Sequence, residues 1–260
     1  MIKNIYHLDC GSFCPHLADK LFGVDHFCCH CLLIECSKNL ILVDTGLSDL
    51  YLQQNSDFFK KFINNPRFDS IQSAVSQVLK LGFKPDDITD IIATHVDQDH
   101  VGGLLDFKNA TIHIHQNEET YLQPSYHDKV KRFSNIYFKN AKNIKTYDLF
   151  GELWNGFQAT RNLENINEEI YLVPLVGHTL GHSGVAIQNS EGWLLHAGDA
   201  YFIKEDLNVD ILHKNFKSEL FQSVLAEHNK NRIENQKRLS QLKENHPSIQ
   251  IINSHDPRYF

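Results

Sequence analysis

Apolar positions in the first part of the chain come in short runs with strand period. Residues 1–9, 27–36 and 39–44 read as strands, with Ser37-Lys38-Asn39 as the hairpin turn between the last two. The period then changes. Residues 47–64 and 68–81 are spaced as helices, the second with Ile71, Val75, Val78 and Leu79 on one stripe. Lys84-Pro85-Asp86-Asp87 starts a short helix ahead of the apolar run Ile91-Ile92-Ala93. Thr111–His115 alternates like a strand, and Gln116-Asn117-Glu118-Glu119 opens a helix after it. Residues 120–167 are the least regular, rich in Tyr, Phe, Asn and Lys. Strands return at 170–175, 184–188 and 193–197. A long polar stretch from Lys217 to Asn245 carries Leu220, Val224, Leu225, Leu239 and Leu242 at helical spacing, and Ile249–Asn253 is the last strand.

Groups of strands interleaved with helices predict two sheets packed together and covered by helices, a doubly wound sheet being the second choice. No Pro-, Gly- or Ser-rich linker and no low-complexity tract divides the 260 residues, so a single domain over 1–260 is expected. The formal charge of −7 argues against a nucleic-acid partner. No apolar segment is long enough to span a bilayer, and the N-terminus runs straight into a strand pattern without a signal-peptide core, which predicts a cytoplasmic protein. All six Cys lie in the first 36 residues. They form no C-x-x-C pair, so reduced thiols on adjacent strands are the reading preferred to a small zinc site. Alternation puts Cys29, Cys31 and Leu33 on one face.

The richest chemistry is in Thr94-His95-Val96-Asp97-Gln98-Asp99-His100-Val101-Gly102-Gly103. Two imidazoles and two carboxylates follow a strand end and precede a glycine pair that lets the backbone turn. These are the donors that divalent cations accept. Further candidates end other apolar runs: His178 in Val173-Pro174-Leu175-Val176-Gly177-His178, Asp199 in Trp193-Leu194-Leu195-His196-Ala197-Gly198-Asp199, and His255 in Ile251-Ile252-Asn253-Ser254-His255.

In order and setting these motifs resemble the metallo-β-lactamase superfamily, whose loop usually reads H-x-H-x-D-H, with a later His, a bridging Asp and a final His. The resemblance runs from Leu40-Ile41-Leu42-Val43-Asp44-Thr45-Gly46 to Ser254-His255-Asp256. It implies an α/β fold, a four-layer αββα sandwich of two mixed β-sheets with the ligands along one edge. It implies two divalent metal ions per chain, zinc in the first place and iron or manganese as alternatives. His95, Asp97 and His178 are assigned to metal one and Asp99, His100 and His255 to metal two, with Asp199 bridging. A metal-activated hydroxide would attack a carbonyl carbon without a Ser or Cys nucleophile. Asp99 and Tyr201 are assigned catalytic roles, the Tyr201 phenol as a donor to the substrate carbonyl or leaving group.

Asp97 stands where the second His of the loop is usual. As a ligand it adds a hard oxygen donor and tilts the site toward iron or manganese; as a neighbour it hydrogen-bonds a ligand. Both readings stay open. Asp44 is expected to orient a ligand His, unless it is an ordinary turn residue. His182 is expected near the site, whereas His113 and His115 read as filler. The aromatic residues Tyr121, Tyr126, Phe133, Tyr137, Phe138, Trp154 and Phe157 line a pocket or simply pack.

The Cys10-Gly11 loop and the run Gly177-His178-Thr179-Leu180-Gly181-His182-Ser183-Gly184 look most like the N-acyl-homoserine-lactonase-like branch, which implies hydrolysis of a small-molecule ester or lactone. A thioesterase similar to glyoxalase II is one alternative, although the chain ends five residues after His255 without that group's helical extension. A di-iron redox protein is another, although no flavin domain is present. The expected partner is a small-molecule substrate, with no nucleic acid and no membrane, and the chain is expected to act as a monomer or homodimer.

Overall fold

The computed structural model describes residues 1–15, 17–54, 65–123, 126, 132–148, 151–208 and 215–260. Seven strands form one mixed sheet: β1 (Ile2–Phe13), β2 (Phe27–Cys36), β3 (Leu40–Val43), β4 (Pro66–Arg67), β5 (Asp90–Ile92), β6 (Thr111–His115) and β7 (Asn143–Tyr147). Their order is β4-β1-β2-β3-β5-β6-β7. The β4, β1, β2 and β3 neighbours pair antiparallel, whereas β3, β5, β6 and β7 run parallel. A small hairpin, β8 (Glu152–Trp154) and β9 (Phe157–Ala159), precedes the second sheet of β10 (Ile170–Pro174), β11 (Ser183–Asn189), β12 (Gly192–His196) and β13 (Gln250–Ile252). Only β12 and β13 are parallel there.

Strand alternation divides the apolar residues between faces. Leu32, Ile34, Ile41, Val43 and Ile92 of the first sheet meet Leu172, Val185, Ile187, Leu194 and Ile252 of the second in the central core. The alternate residues Cys29, Cys31, Leu33 and Leu42 point outward, as expected, against Ala74 and Val78. Among the described residues the α-helices are α1 (Ala18–Phe22), α2 (Asp49–Gln54), α3 (Ala74–Lys80), α4 (Gln98–Val101), α5 (Glu119–Leu122), α6 (Phe216–Leu225) and α7 (Asn229–Asn245). On the other outer face Val173, Ala186, Leu195 and Ile251 pack with Leu239 and Leu242 of α7. This is the expected αββα sandwich. All six cysteines are free thiols. Burial raises the thiols of Cys28, Cys29 and Cys31 well above their ordinary range, which suits inert packing residues. Among the described residues no helix is long and apolar enough to cross a membrane.

Three segments differ from the sequence reading, each for a local reason. The helix expected over 68–81 is broken in two, because Asp69 caps the turn Ser70–Gln72 and Ser73 caps α3. Ile71 and Leu79 are therefore exposed while Val78 is buried. The helix expected over 217–245 stops at Leu225 and restarts at Asn229. Between them the Glu227 and His228 N–H groups donate to the carbonyls of His178 and Gly177, so the break braces a loop carrying a candidate ligand. The irregular region contains β7 and the β8–β9 hairpin, whose Glu152 and Leu153 are exposed and give no apolar signal. Of the helix expected over 47–64, only α2 lies within the described residues.

The candidate ligands all follow strand C-termini. The parallel pairs β3–β5 and β12–β13 bring Asp44 beside Thr94-His95, and Asp199 beside His255, at one edge of the sandwich. Gly46 makes the first of these crossings possible. It has φ +66°, and an added Cβ would lie 2.2 Å from the Cys10 Cβ and 2.5 Å from the Cys10 carbonyl oxygen. Gly82 has φ +91° with nothing within 4 Å of the same position. Gly46→Ala is expected to destabilise the fold by about 3 kcal/mol or more, and Gly82→Ala by about 1 kcal/mol, the cost of the left-handed backbone alone. Denaturant midpoints of both variants check the difference; equal shifts would remove the packing argument.

Candidate metal centre

His95, Asp97, Asp99, His100, His178, Asp199 and His255 converge on one spot. Their donor atoms form three overlapping groups: His95, Asp97 and His178; Asp99, His100 and His255; and His95, His100 and Asp199. Within each group the atoms lie within 4.8 Å of one another. Asp97 Oδ2 is 3.0 Å from both His95 Nε2 and His178 Nε2. Asp99 Oδ2 is 3.6 Å from His100 Nε2 and 3.7 Å from His255 Nε2. Asp199 lies between the groups, with Oδ2 at 3.0 Å from His255 Nε2 and 3.3 Å from His178 Nε2, and Oδ1 at 3.4 Å from His100 Nε2.

The bonds behind the imidazoles decide which nitrogen faces inward. His100 Nδ1–H donates to Asp44 Oδ2 at 2.9 Å, and His255 Nδ1–H donates to the Cys28 carbonyl at 2.8 Å. The Thr94 hydroxyl donates to Asp44 Oδ2 at 2.9 Å, so its oxygen is left to accept from His95 Nδ1–H at 3.0 Å. In these three residues the Nε2 lone pair is therefore turned to the centre. Asp44 reaches this role from a left-handed backbone, φ 57°, and also accepts from the Thr94 N–H. It is thus the orienting residue that its place after β3 suggests.

The cluster fits a bound cation. Asp97, His95, His100, His178, Asp199 and His255 are buried, and Asp99 is partly so. His100 Nε2 and Asp199 Oδ1 are buried and 3.4 Å apart, and among the described residues neither makes a hydrogen bond. Burial pushes the Asp199 carboxyl up, but His255, His100 and His178 outweigh it and hold the acid well below its ordinary range. Burial lowers His100 and His255, yet the carboxylates around them, Asp199 first, raise both. The local field therefore favours positive charge at the point where these nitrogens and carboxylate oxygens meet.

Two participants escape the motif reading. Arg132, from the irregular region, has Nε 2.6 and 2.8 Å from the two Asp97 oxygens. Its Nη2 donates to His178 Nε2 and its Nη1 to the Leu225 carbonyl. Burial first and this guanidinium second push the His178 imidazole down to about 3, so it stays neutral. Burial raises Asp97, but Arg132 and then His95 more than reverse this, and the carboxylate remains charged. The sequence signal for Arg132 is indirect: Asp97 in place of a neutral His calls for a compensating cation.

Glu118 is fully buried and accepts from Val96 N–H at 2.9 Å, Gly181 N–H at 2.8 Å and the Thr179 hydroxyl at 2.6 Å. It ties the loop of His95 to the loop of His178. No local signal separates it from the exposed Glu119. His182 is another orienting residue, donating from Nδ1 to the Leu175 carbonyl and accepting the Asp199 N–H at Nε2.

Tyr201 requires a correction. Its side chain is fully buried in the outer core of the second sheet, with the hydroxyl against Tyr259 Oη at 3.0 Å and the Ile251 carbonyl at 3.4 Å. The neighbouring residue faces the centre instead: the Phe202 ring lies 4.9 Å from His255 and 5.9 Å from His178. Asp206 sets this register by accepting the N–H groups of Phe202 and Ile203, and burial pushes its carboxyl up to about 6. The aromatic residues of 121–157 mostly pack. Tyr121 stacks on Phe133 at 4.0 Å over the first sheet, and Trp154 and Phe157 belong to the opposite outer layer.

All three partners of Glu118 are donors, so only a carboxylate satisfies them at both oxygens; an amide turns an N–H toward one of them. Glu118→Gln is expected to cost about 2 kcal/mol of stability and to weaken divalent-metal binding roughly tenfold, while Glu119→Gln changes neither. Denaturation and chelator competition measure the two effects, and identical behaviour of the two variants would refute the bracing role.

Residues 27–255 match the family model of the metallo-beta-lactamase superfamily. The chain is 31% identical over 260 residues to a probable metallo-hydrolase of Mycobacterium tuberculosis, covering 98% of this chain and 80% of that one. It is 26% identical over 199 residues to an N-acyl homoserine lactonase of Bacillus cereus, covering 75% and 72%. Among solved structures, an N-acyl homoserine lactone hydrolase with N-hexanoyl-L-homoserine bound at its catalytic metal centre superposes with TM-score 0.74 at 21% identity, over 100% of this chain and 95% of that one. AidC, a dizinc quorum-quenching lactonase, superposes with TM-score 0.63 at 19% identity, over 98% and 86%. The edge cluster, the αββα layers and the match over residues 27–255 lead to one assignment: the chain belongs to the metallo-β-lactamase superfamily.

Proposed function

We propose that the protein is a dinuclear-metal-dependent hydrolase of a small-molecule ester or lactone. The observation that carries this reading is the arrangement around Asp199, whose two oxygens stand between imidazole Nε2 atoms of both ligand groups. His95, Asp97 and His178 would hold one ion and Asp99, His100 and His255 the other, with Asp199 in reach of both. Zinc is the expected ion, and the Asp97 oxygen improves the standing of iron or manganese. Bound there, divalent cations supply Lewis acidity, which polarises a carbonyl oxygen and makes water acidic enough to act near neutral pH.

The chain's own residues do the rest. Asp44, Thr94 and the Cys28 carbonyl keep the imidazole protons on the outer nitrogens. Asp99 has the most exposed carboxylate of the set, with 19% of its side chain accessible. With Oδ2 turned to the ligand group, its other oxygen, Oδ1, is left to take a proton from the attacking water and deliver it to the departing alkoxide. Phe13, Phe27 and Phe202 stand edge-on to His255 and give that side of the centre an apolar wall. An uncharged substrate suits this surrounding better than a polyanion, since three carboxylates face it. The relatives named as N-acyl homoserine lactonases support the ester or lactone class. The same reading has the protein act in the cytoplasm on a small molecule, as a monomer or homodimer.

Metal-loaded protein assayed in parallel on lactones, aryl esters, thioesters, β-lactams and phosphodiesters is expected to give its highest kcat/KM on lactones or esters. Asp199→Ala should lower that value by more than about 100-fold, beyond the usual effect of losing a residue that only orients a ligand. A preference for phosphodiesters, or an Asp199→Ala variant with wild-type turnover, would overturn the proposal.

A further inference from the structure

We infer that Arg132 is a resident cation at the first metal position, so that an ion must displace its guanidinium to bind there and the two positions load with unequal affinity. The inference rests on the metal-centre reading above but not on the nature of the substrate.

An imidazole nitrogen has a single lone pair in the ring plane. That of His178 Nε2 receives an Arg132 Nη2–H, and both oxygens of Asp97 lie within 2.8 Å of Arg132 Nε. Asp97 Oδ2 and His178 Nε2 are also two of the three donors of the first group. A metal ion and the guanidinium therefore compete for the same atoms. Arg132 is anchored from behind by the Leu225 carbonyl at 2.6 Å, at the end of α6. A guanidinium does not release a proton near neutral pH, so it cannot make way by losing its charge; the side chain has to move. The second position differs: among the described residues its imidazole Nε2 atoms meet only other candidate ligands, His255 Nε2 at 3.0 Å from Asp199 Oδ2 and His100 Nε2 at 3.4 Å from Asp199 Oδ1. The charges fit as well, since the negative charge that Asp97 adds to the cluster is matched by the one that Arg132 brings.

Chelator-stripped protein titrated with Zn²⁺ against a chromophoric chelator, without substrate, tests the proposal. Wild type is expected to bind two ions with affinities separated by roughly tenfold or more. Arg132→Met keeps an unbranched stem as far as the position of Nε and removes the charge and the donors. It should strengthen the weaker step by roughly tenfold and leave the tighter step within about threefold, the scale on which a residue contacting ligands tunes metal affinity. A weaker step changed by less than about threefold overturns the inference, whatever the wild-type spacing. A readout on the wild-type chain covers the case in which the variant does not fold. The Nε–H resonance of Arg132 should hold its place through the first equivalent of Zn²⁺ and move with the second; movement with the first equivalent overturns the inference. Binding of no ion at all overturns the metal-centre reading and this inference together, whereas inactivity on every ester or lactone leaves the binding result standing.

Discussion

Putting three carboxylates into a nearly dry space only a few ångströms across is the constraint on which the rest of this structure depends. Asp97, Asp99 and Asp199 repel one another, and burial makes each charge more costly. Something positive must share the space. The side chains within reach answer in two ways. Imidazoles turn Nε2 inward, which serves a divalent cation, and one guanidinium approaches from the irregular region. The direction of the shifts follows from this field: the Asp97 and Asp199 carboxyls held low, and the nitrogens of His100 and His255 drawn toward positive charge.

Such a cluster needs a rigid frame, and the frame is polar as well as apolar. The central core of Leu, Ile and Val aligns two sheets, and parallel neighbours in each put ligand loops on the same edge. Apolar packing alone leaves loop orientation open. Asp44 directs His100 and, through Thr94, His95. Glu118 joins the loops of His95 and His178. The interrupted helix at 226–228 holds the His178 loop from outside. These are buried hydrogen bonds to charged groups, each strong because its surroundings are dry, and each costly to leave unmade.

What could be read from the sequence follows from the same physics. The candidate ligands were legible because each follows an apolar run that forms a buried strand, and strand ends are where a sandwich gathers side chains. Asp44 was legible for the same reason. The place of Tyr201 was not legible: the phase of the short turn after Asp199 depends on the tertiary bonds of Asp206, which spacing does not encode, and it turns the phenol into the outer core. Arg132 and Glu118 act across sequence separations of 35 and 22 residues from Asp97 and Val96, and no local pattern marks them. The hairpin at 152–159 was missed because its first strand is largely exposed. The break between α6 and α7 was missed because the donors that end the helix find their acceptors in another loop.

The central claim is that imidazole nitrogens and carboxylate oxygens, and not the cysteine-rich strands, hold the metal. X-ray absorption at the edge of the ion carried by the purified protein addresses it most directly. The account predicts a coordination sphere of nitrogen and oxygen only, with the multiple scattering of imidazole rings. Sulfur among the ligands, or a protein that retains no ion after metal supplementation, would contradict it.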